Sequence, residues 1–373
     1  MDKQLESFVD FFKKIPDHRV ERRKLHTVEE ILLVTFCGVI AGCDSWDDLE
    51  LFGKTKLEYL RQYLPFKNGP PSDDTLRRFF RLLDPKKFEA CFIEWVKSFQ
   101  LSLEQKVVAI DGKTSRRSFD GAGRAMHMIS AFASEVGIVL GQLKVDGKTN
   151  EITAIPQLLD LLDLSKATVT IDSMGCQTKI AEKIIKQEAN YVFGLKGNQS
   201  TLHEDVKLLF EGKAAGINFL SDQVVEKGHG RIETRKCTVT QDIDWLRKSH
   251  SKWKGLQSVI EIESTREIKG QVSVEKRYYI SSHAADPLVI GNAIRQHWGV
   301  ENKLHWVLDI SFGDDQSRIR KGNAPQNMAI IKKTALNLLQ IIKRKRPRVS
   351  LKCMRKLAGW DNDFLDSVLT AKF

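Results

Sequence analysis

Two short segments that end in an aspartate place the strongest constraint on what this chain can fold into. They are VVAID, residues 107–111, and TVTID, residues 168–172. Runs of apolar and β-branched residues like these are typical of strands buried on both faces of a sheet. Side chains that follow the carboxyl ends of such strands lie where α/β sheets bind ligands. We therefore predict that Asp111 and Asp172 end neighbouring strands and meet at one site.

The order of the remaining segments predicts an α/β fold. Residues from about 106 to 200 follow a β-β-β-α-β-α-β pattern, which indicates a mixed sheet flanked by helices. Residues of about 215–285 are again strand-like and form either a β-rich insertion or a continuation of the sheet. We predict an N-terminal helical domain over 1–104 and a second domain over 105–373, with a helical C-terminal region from about 310.

The charge of the chain favours a polyanionic partner. Its 373 residues carry a formal net charge of +11, which suits nucleic acid but does not identify it. The longest apolar run, residues 31–42, is too short to span a bilayer. The six cysteines include no CxxC pair, as is typical of reduced cytosolic proteins. We expect a cytoplasmic protein of bacterial type with no membrane segment.

Two carboxylates at one site would repel each other unless a cation neutralises them. Oxygen ligands favour Mg²⁺ or Mn²⁺ over zinc. Two such ions ~3.5–4 Å apart could clamp the attacking and leaving oxygens of a phosphoryl transfer. One isolated aspartate could equally begin a turn, but the matched settings of Asp111 and Asp172 favour ligands.

A third acid is expected on the helix predicted over residues 287–308. Glu301 lies there, with His297 and His305 four residues to either side, so all three share one helical face. A zinc hydrolase that uses these three residues stays open, although the HEXXH spacing is absent. Three further acids are alternatives to Glu301 as the third ligand: Asp309, Asp314 and Asp315.

Six blocks of sequence, taken together, resemble one known family. They are VAIDGKTSRRS, TIDSMGCQ, LKGNQ, GHGRIETR, IRQHWGVENKLHWVLDISFGDDQSRIRKGNAPQN and ALNLL, and they span most of the chain. In this order they resemble the DDE transposases of bacterial insertion sequences, and more narrowly the H-repeat-associated transposase family. The resemblance implies an RNase H-like core in which Asp111, Asp172 and Glu301 bind two divalent cations, Mg²⁺ or Mn²⁺.

The resemblance also implies an activity. A DDE transposase cleaves the DNA at the transposon ends and transfers the freed 3′-OH into target DNA, which is DNA-mediated transposition and recombination. The partner is then double-stranded DNA, the chain forms a homo-oligomer when two ends are brought together, and the protein acts at the bacterial nucleoid. An RNase H-like nuclease without strand transfer and a catalytically inactive DNA-binding remnant are the alternatives.

The chain departs from the wider family around its last acid. That group carries Tyr-x2-Arg-x3-Glu-x6-Lys, whereas these positions here are Ile294, His297, Glu301 and Leu308. The phosphate contacts of the missing Arg and Lys must therefore come from other residues.

Several polar and basic residues are predicted to bind DNA. They lie after the first acid, after a later strand end, in the insertion, in or after the glutamate helix, and in a basic N-terminal helix. Solvated turns or charged hairpins would explain many of these residues equally well. The Gly-Lys-Thr after Asp111 is not a nucleotide-binding loop, because position 107 is Val rather than Gly. The predicted contacts are Lys113, Arg116, Arg117, Lys196, Asn198, His229, Arg231, Arg295, His297, Lys303, Arg318, Arg320, Arg77 and Arg78.

Overall fold

The computed structural model describes residues 13–19, 24–119, 125–145, 151–212, 216–228 and 230–371. Its N-terminal part is helical, as predicted. The helix that begins at Val28 starts where expected, because Thr27 and Glu30 form a reciprocal capping box there. Within the described residues, the helices that precede the sheet are α1 (Val28–Ile40), α2 (Trp46–Thr55), α3 (Leu57–Leu60), α4 (Asp73–Leu82) and α5 (Pro85–Lys97).

A nine-stranded mixed sheet forms the centre of the described chain, in the order β3-β2-β1-β4-β5-β9-β8-β7-β6. Strand β4 pairs in parallel with β1 and β5, and the other neighbours are antiparallel. The first five strands have the RNase H-like arrangement, which confirms the predicted fold class. The strands are β1 (Val107–Thr114), β2 (His127–Ala133), β3 (Ile138–Val145), β4 (Thr168–Ile171), β5 (Asn190–Leu195), β6 (Leu220–Gly228), β7 (Arg231–Thr240), β8 (Ser258–Ile268) and β9 (Gln271–Ser281).

Helices cover this sheet and complete the chain. A single π-helical turn, Glu301–His305, interrupts the long helix that carries the predicted third acid. The helices are α6 (Glu151–Asp160), α7 (Thr178–Lys186), α8 (Ser200–Gly212), α9 (Asp244–Ser249), α10 (Pro287–Val300), α11 (Trp306–Phe312), α12 (Ala324–Lys345), α13 (Leu351–Trp360) and α14 (Asn362–Leu369).

One apolar core joins the N-terminal helices to the sheet. The long helix α12 is buried over most of its length and packs against α1, α4, α5 and β3. Phe88 of α5, Val108 of β1 and Leu336 of α12 are fully buried members of the same cluster. The predicted division at residue 104 falls between α5 and β1, and the two sides of it share this core.

The prediction that Asp111 ends its strand is wrong. Strand β1 continues to Thr114, because β2 pairs with it antiparallel as far as Thr114↔His127. Its parallel partner β4 already stops at Ile171, so Asp111 lies where only one neighbour remains hydrogen-bonded. Lys113 therefore lies in a strand and not in a solvated turn.

The strand-like segment after residue 215 continues the sheet rather than folding apart from it. Strand β9 pairs with β5 over Leu195↔Tyr278 to Val192↔Ser281, and β8, β7 and β6 follow in antiparallel order. Because this segment lies between β5 and α10 in sequence, it separates the first two acids from the third. None of the helices in the described part of the chain has both the length and the apolar character needed to cross a membrane.

Candidate active site

The two predicted strand acids occupy equivalent positions on adjacent parallel strands. Ile110 of β1 is the register partner of Ile171 of β4, and Asp111 and Asp172 follow these two residues. The four residues of β4 and residues 107–110 of β1 are all buried, as expected for strands covered on both faces. The sheet thus carries both acids to the same edge of its central strand pair.

Asp111, Glu301 and His305 form a compact cluster of possible metal ligands. One ligand atom from each lies within 4.8 Å of the other two. His305 Nδ1 is 3.1 Å from Glu301 Oε2 and 3.6 Å from Asp111 Oδ2. Asp172 is not a member of this cluster, although its charge acts on Asp111. Two oxygens and one imidazole nitrogen at this spacing fit a divalent cation.

The interrupted helix places Glu301 and His305 beside β1. Helix α10 begins at Pro287 with the Asp286 side chain as its N-cap, and it packs against β1 and β4. Val300 and Leu304 are buried and anchor the π-helical turn. π-helical turns occur often at functional sites, since they re-aim side chains within a continuous helix.

Burial and neighbouring carboxylates raise the pKa of Asp111 to about 7. The Gly112 amide opposes this effect by donating to Asp111 Oδ1 at 2.9 Å, while the charges of Asp172, Glu151 and Glu301 add to it. A bound cation would relieve this repulsion, because it stabilises the ionised carboxylates. The raised pKa is therefore compatible with a site that binds a cation.

Asp172 is exposed and is held by the turn that follows β4. Its Oδ1 atom accepts hydrogen bonds from the amides of Met174 (3.0 Å) and Gly175 (3.3 Å). The Asn198 side chain donates to the carbonyl of Ser173 at 2.6 Å and braces the same turn. These contacts fix the position of the carboxylate and leave its other oxygen free of backbone donors.

The histidine-based zinc hypothesis is weakened by the position of His297. Its Nδ1 atom lies 3.1 Å from the Thr170 hydroxyl, and burial lowers the pKa of this histidine. His297 is not in the ligand cluster, where Asp111 joins Glu301 and His305 instead. The three residues that share one helical face in the sequence are thus not the three that meet in the structure.

The acids that were alternatives to Glu301 are engaged by lysines. Lys113 Nζ lies 2.7 Å from Asp309 and 3.4 Å from Asp315. Asp314 is bound by Lys332 at 3.1 Å and by the Ser115 hydroxyl at 3.0 Å. Burial opposes ionisation of Asp314, but Lys332 holds its pKa below the usual value. Glu301 remains the acid that lies beside Asp111.

The basic residues after Asp111 make contacts within the chain. Besides the two ion pairs of Lys113, Arg116 lies 3.5 Å from Asp315 and Arg320 donates to the carbonyl of Arg117 at 2.8 Å. The side chains of Arg116, Arg117 and Arg320 are exposed and keep donors free on the outer surface beside the site. Their predicted role in DNA binding stays a prediction.

Other predicted DNA contacts are spread over the surface, several in ion pairs with nearby acids. Arg77 and Arg78 pair with Asp73 (2.8 Å) and Asp74 (2.6 Å) in the first turn of their own helix. Arg231 pairs with an acid of β7, Arg295 with one of β6, and Lys303 donates to a carbonyl before β3. Two more predicted contacts are exposed, Lys196 and Arg318, and one lies outside the described residues, His229.

Sequence reasoning missed a buried pair beside the cluster. His127 of β2 and Glu151 of α6 form a short contact between Nε2 and Oε1, and the negative charge of Glu151 acts on Asp111. No motif marked either residue, because they come from separate elements that meet only in the fold. The nearby Gly112 makes room for them, since a Cβ there would lie 2.5 Å from Glu151 Oε1 and 2.7 Å from His127 Nε2.

Gly112→Ala is therefore expected to lower the free energy of unfolding by about 1–3 kcal/mol, the usual cost of overpacking a filled site. The His127–Glu151 pair would have to move away from β1. Urea denaturation measures the effect. Gly228→Ala is the matched strand control, because nothing lies within 4 Å of its Cβ position. Equal small effects of the two changes would contradict this packing.

The raised pKa of Asp111 predicts how stability of the metal-free protein depends on pH. The folded state binds a proton more tightly than the unfolded state, whose carboxyl has the ordinary pKa of 3.8. Stability therefore falls as the pH rises from about 4 to about 7, by a few kcal/mol. Asp111→Asn should remove the share of this dependence that comes from Asp111 and leave the share from Glu89, whose pKa is also raised to about 7. Urea denaturation at pH 5 and pH 8 measures the change in slope. A variant with the same pH slope as the original chain would contradict the assignment.

Two protein families match most of the chain. Residues 102–338 match the family described as Transposase DDE domain, and residues 9–96 match the one described as DDE_Tnp_1-associated. The piggyBac transposase synaptic complex with hairpin DNA is a solved structure with a TM-score of 0.48 and 12% identity, over 98% of this chain and 78% of that chain.

Curated relatives match nearly the full length of the chain. "Putative transposase YncI" of Escherichia coli O157:H7 is 43% identical over 93% of this chain and 92% of its own length. "H repeat-associated putative transposase YhhI" of Escherichia coli K12 is 41% identical over 98% of both chains. With the match of the catalytic-domain family to more than half of the chain, these similarities show that the protein belongs to the DDE transposase family.

Proposed function

We propose that this protein cleaves the DNA at the ends of its own insertion sequence and joins the freed ends to target DNA. The observation that carries the proposal is the meeting of Asp111 with Glu301 beside the strand that precedes Asp172. Asp111 and Glu301, from a strand and a distant helix, converge at one edge of an RNase H-like sheet, where the charge of Asp172 also acts on Asp111. Such convergence is what metal-dependent phosphoryl transfer requires.

Asp111, Asp172 and Glu301 would hold two divalent cations, Mg²⁺ or Mn²⁺. When bound, the ions supply Lewis-acid activation and neutralise charge on the phosphate. In the first step a water oxygen attacks a phosphodiester at the transposon end, and the broken P–O bond leaves a free 3′-OH. In the second step this 3′-OH attacks a target phosphodiester and displaces a new 3′-oxygen. Catalysis then rests on positioning and charge rather than on a protein nucleophile.

The exposed basic residues beside the site support binding of a polyanion. Arg116, Arg117 and Arg320 are exposed, and Arg320 donates to the carbonyl of Arg117. Lys196 is exposed and directly follows β5, the strand that pairs with β4. Such residues would position backbone phosphates without reading the sequence. The double-stranded substrate, with transposon ends and target, would place the protein at the nucleoid, and the joining of two ends calls for a homo-oligomer.

A strand-transfer assay tests the proposal. The substrate is a labelled duplex that ends in the terminal repeats of the proposed element, with a supercoiled plasmid as target and Mg²⁺ or Mn²⁺ as the metal. We expect both a cleaved end and a joined product, and neither in excess chelator. Cleavage without any joined product would instead support a nuclease.

An inactive DNA-binding remnant is a second candidate, because one short relative is named "Inactive transposase YbfQ", of Escherichia coli K12. The match to it covers only 20% of this chain, and the acids of this chain are intact. The same assay separates the two, because a remnant would shift the labelled duplex in a gel without cutting it.

A further inference from the structure

The His305 side chain has no evident role in the proposed chemistry, yet it lies at the centre of the ligand cluster. It is 5% exposed, and its Nδ1 atom points between Glu301 Oε2 (3.1 Å) and Asp111 Oδ2 (3.6 Å). A histidine with only a structural role would need a single hydrogen-bond partner at this nitrogen. This one faces two carboxylates that repel each other, at the place where a cation would reduce their repulsion.

The distances suit coordination by Nδ1. Neighbouring ligands of an octahedral ion with bonds of about 2.1 Å lie about 3 Å apart. The separation between His305 Nδ1 and Glu301 Oε2 is close to this value, and that to Asp111 Oδ2 is somewhat longer. Small side-chain rotations would therefore bring all three atoms onto one ion.

The other ring nitrogen of His305 supports the same orientation. Nε2 is buried and has no hydrogen-bond partner among the described residues. When Nδ1 binds a metal, Nε2 carries the proton and needs an acceptor. A small cavity is lined by the His305 side chain together with Ser130, Asp314 and three lysines, and a water held there would have polar partners.

We propose that His305 is a protein ligand of the cation held by Asp111 and Glu301, and that it makes this position select Mn²⁺ over Mg²⁺. Carboxylates suit both ions. Mg²⁺ is a hard cation that takes oxygen ligands, whereas Mn²⁺ is a transition metal and accepts an imidazole nitrogen more readily. Among the described residues no histidine joins Asp172 in a ligand cluster, so a second ion held by Asp172 would keep no such preference. The inference rests on the proposed function, since it concerns one of the ions used there.

Mn²⁺ spin resonance on the full-length, metal-free protein tests the inference without any variant. Electron spin-echo modulation from ¹⁴N is expected in the wild-type complex, because a coordinated imidazole is directly bonded to the ion. His305→Gln should abolish the modulation and weaken Mn²⁺ binding by about tenfold or more, while Mg²⁺ affinity, measured by competition, changes far less. The matched control is His250→Ala, which removes a histidine that pairs with Asp205 at 2.7 Å outside the cluster.

Two results would overturn the inference: wild-type Mn²⁺ bound without nitrogen modulation, or modulation that survives in His305→Gln. Absence of Mn²⁺ binding would overturn it as well. Failure of the proposed function has a different signature. If Mn²⁺ shows nitrogen coupling but no strand transfer occurs, the proposed activity is rejected and His305 is still a metal ligand. If strand transfer occurs without nitrogen coupling, the activity stands and His305 is not a ligand.

Discussion

Asp111→Asn is expected to reduce both end cleavage and strand transfer by at least about 1,000-fold, which corresponds to about 4 kcal/mol of transition-state stabilisation. The change keeps the size of the side chain and removes the charge that, in the proposed site, would hold a cation beside Glu301. Both steps share one site, so both should fall together. Single-turnover assays on the end-repeat duplex measure the two rates.

The fold of this variant gives an internal check. Because the buried carboxylate destabilises the metal-free protein near neutral pH, Asp111→Asn should be at least as stable as the wild type. Asp163→Asn, in the exposed loop between α6 and β4, is the control acid and should keep full activity. An active Asp111→Asn, within about tenfold of wild type, would refute the metal-site assignment.

Lys333→Met is expected to lower the free energy of unfolding by about 3–5 kcal/mol. Lys333 is 4% exposed within α12; it donates to the Ser130 hydroxyl at 2.8 Å and makes a short hydrogen bond to Gln142 Oε1. The backbone and side-chain amides of Gln142 donate to the buried Glu89 of α5 at 3.0 Å and 3.1 Å. The network ties an N-terminal helix, the sheet and a C-terminal helix together.

Removing one charge from this network leaves the other buried without compensation. Burial raises the pKa of Glu89 to about 7 and lowers that of Lys333 to about 8. The charged form of each group is therefore destabilised when its partner is absent. Urea denaturation at pH 8 measures the loss. The control Lys345→Met changes an exposed lysine of the same helix and should stay within about 0.5 kcal/mol.

A second variant separates the charge from the packing. Lys333→Met combined with Glu89→Leu removes both charges and should cost less than the sum of the single changes. Additive losses would show that the two residues act independently and that the network is not electrostatically coupled.

The fold class follows from local sequence signals. The segments 107–111 and 168–172 form adjacent buried strands because their residues suit burial on both faces, and Thr27 with Glu30 begins the first helix through a local capping box. Such signals act over a few residues and need no knowledge of the tertiary structure. The mixed sheet, the neighbouring positions of these two strands and the helical regions on either side of the sheet in sequence could therefore be anticipated.

The details of the site could not be predicted from the sequence, because they depend on residues that are distant along the chain. Strand β1 extends beyond the apolar run because β2 pairs with it as far as Thr114. Lys113 meets Asp309, 196 residues away in sequence, and so becomes part of an ion-paired network. The π-helical turn that carries Glu301 and His305 arises within a segment whose spacing predicts a continuous α-helix. Each of these features appears only when the elements pack.

The most direct test of the proposed metal site is a change of metal preference in a variant of Asp111. In Asp111→Cys a thiolate replaces the carboxylate, and thiolates bind Mg²⁺ poorly but accept softer ions such as Mn²⁺. The measurement is the ratio of strand-transfer rates in Mn²⁺ and Mg²⁺, compared with the same ratio for the wild type. We expect the variant to be inactive in Mg²⁺ and partly restored in Mn²⁺. An unchanged ratio with substantial activity in both metals would contradict a metal-binding role for Asp111.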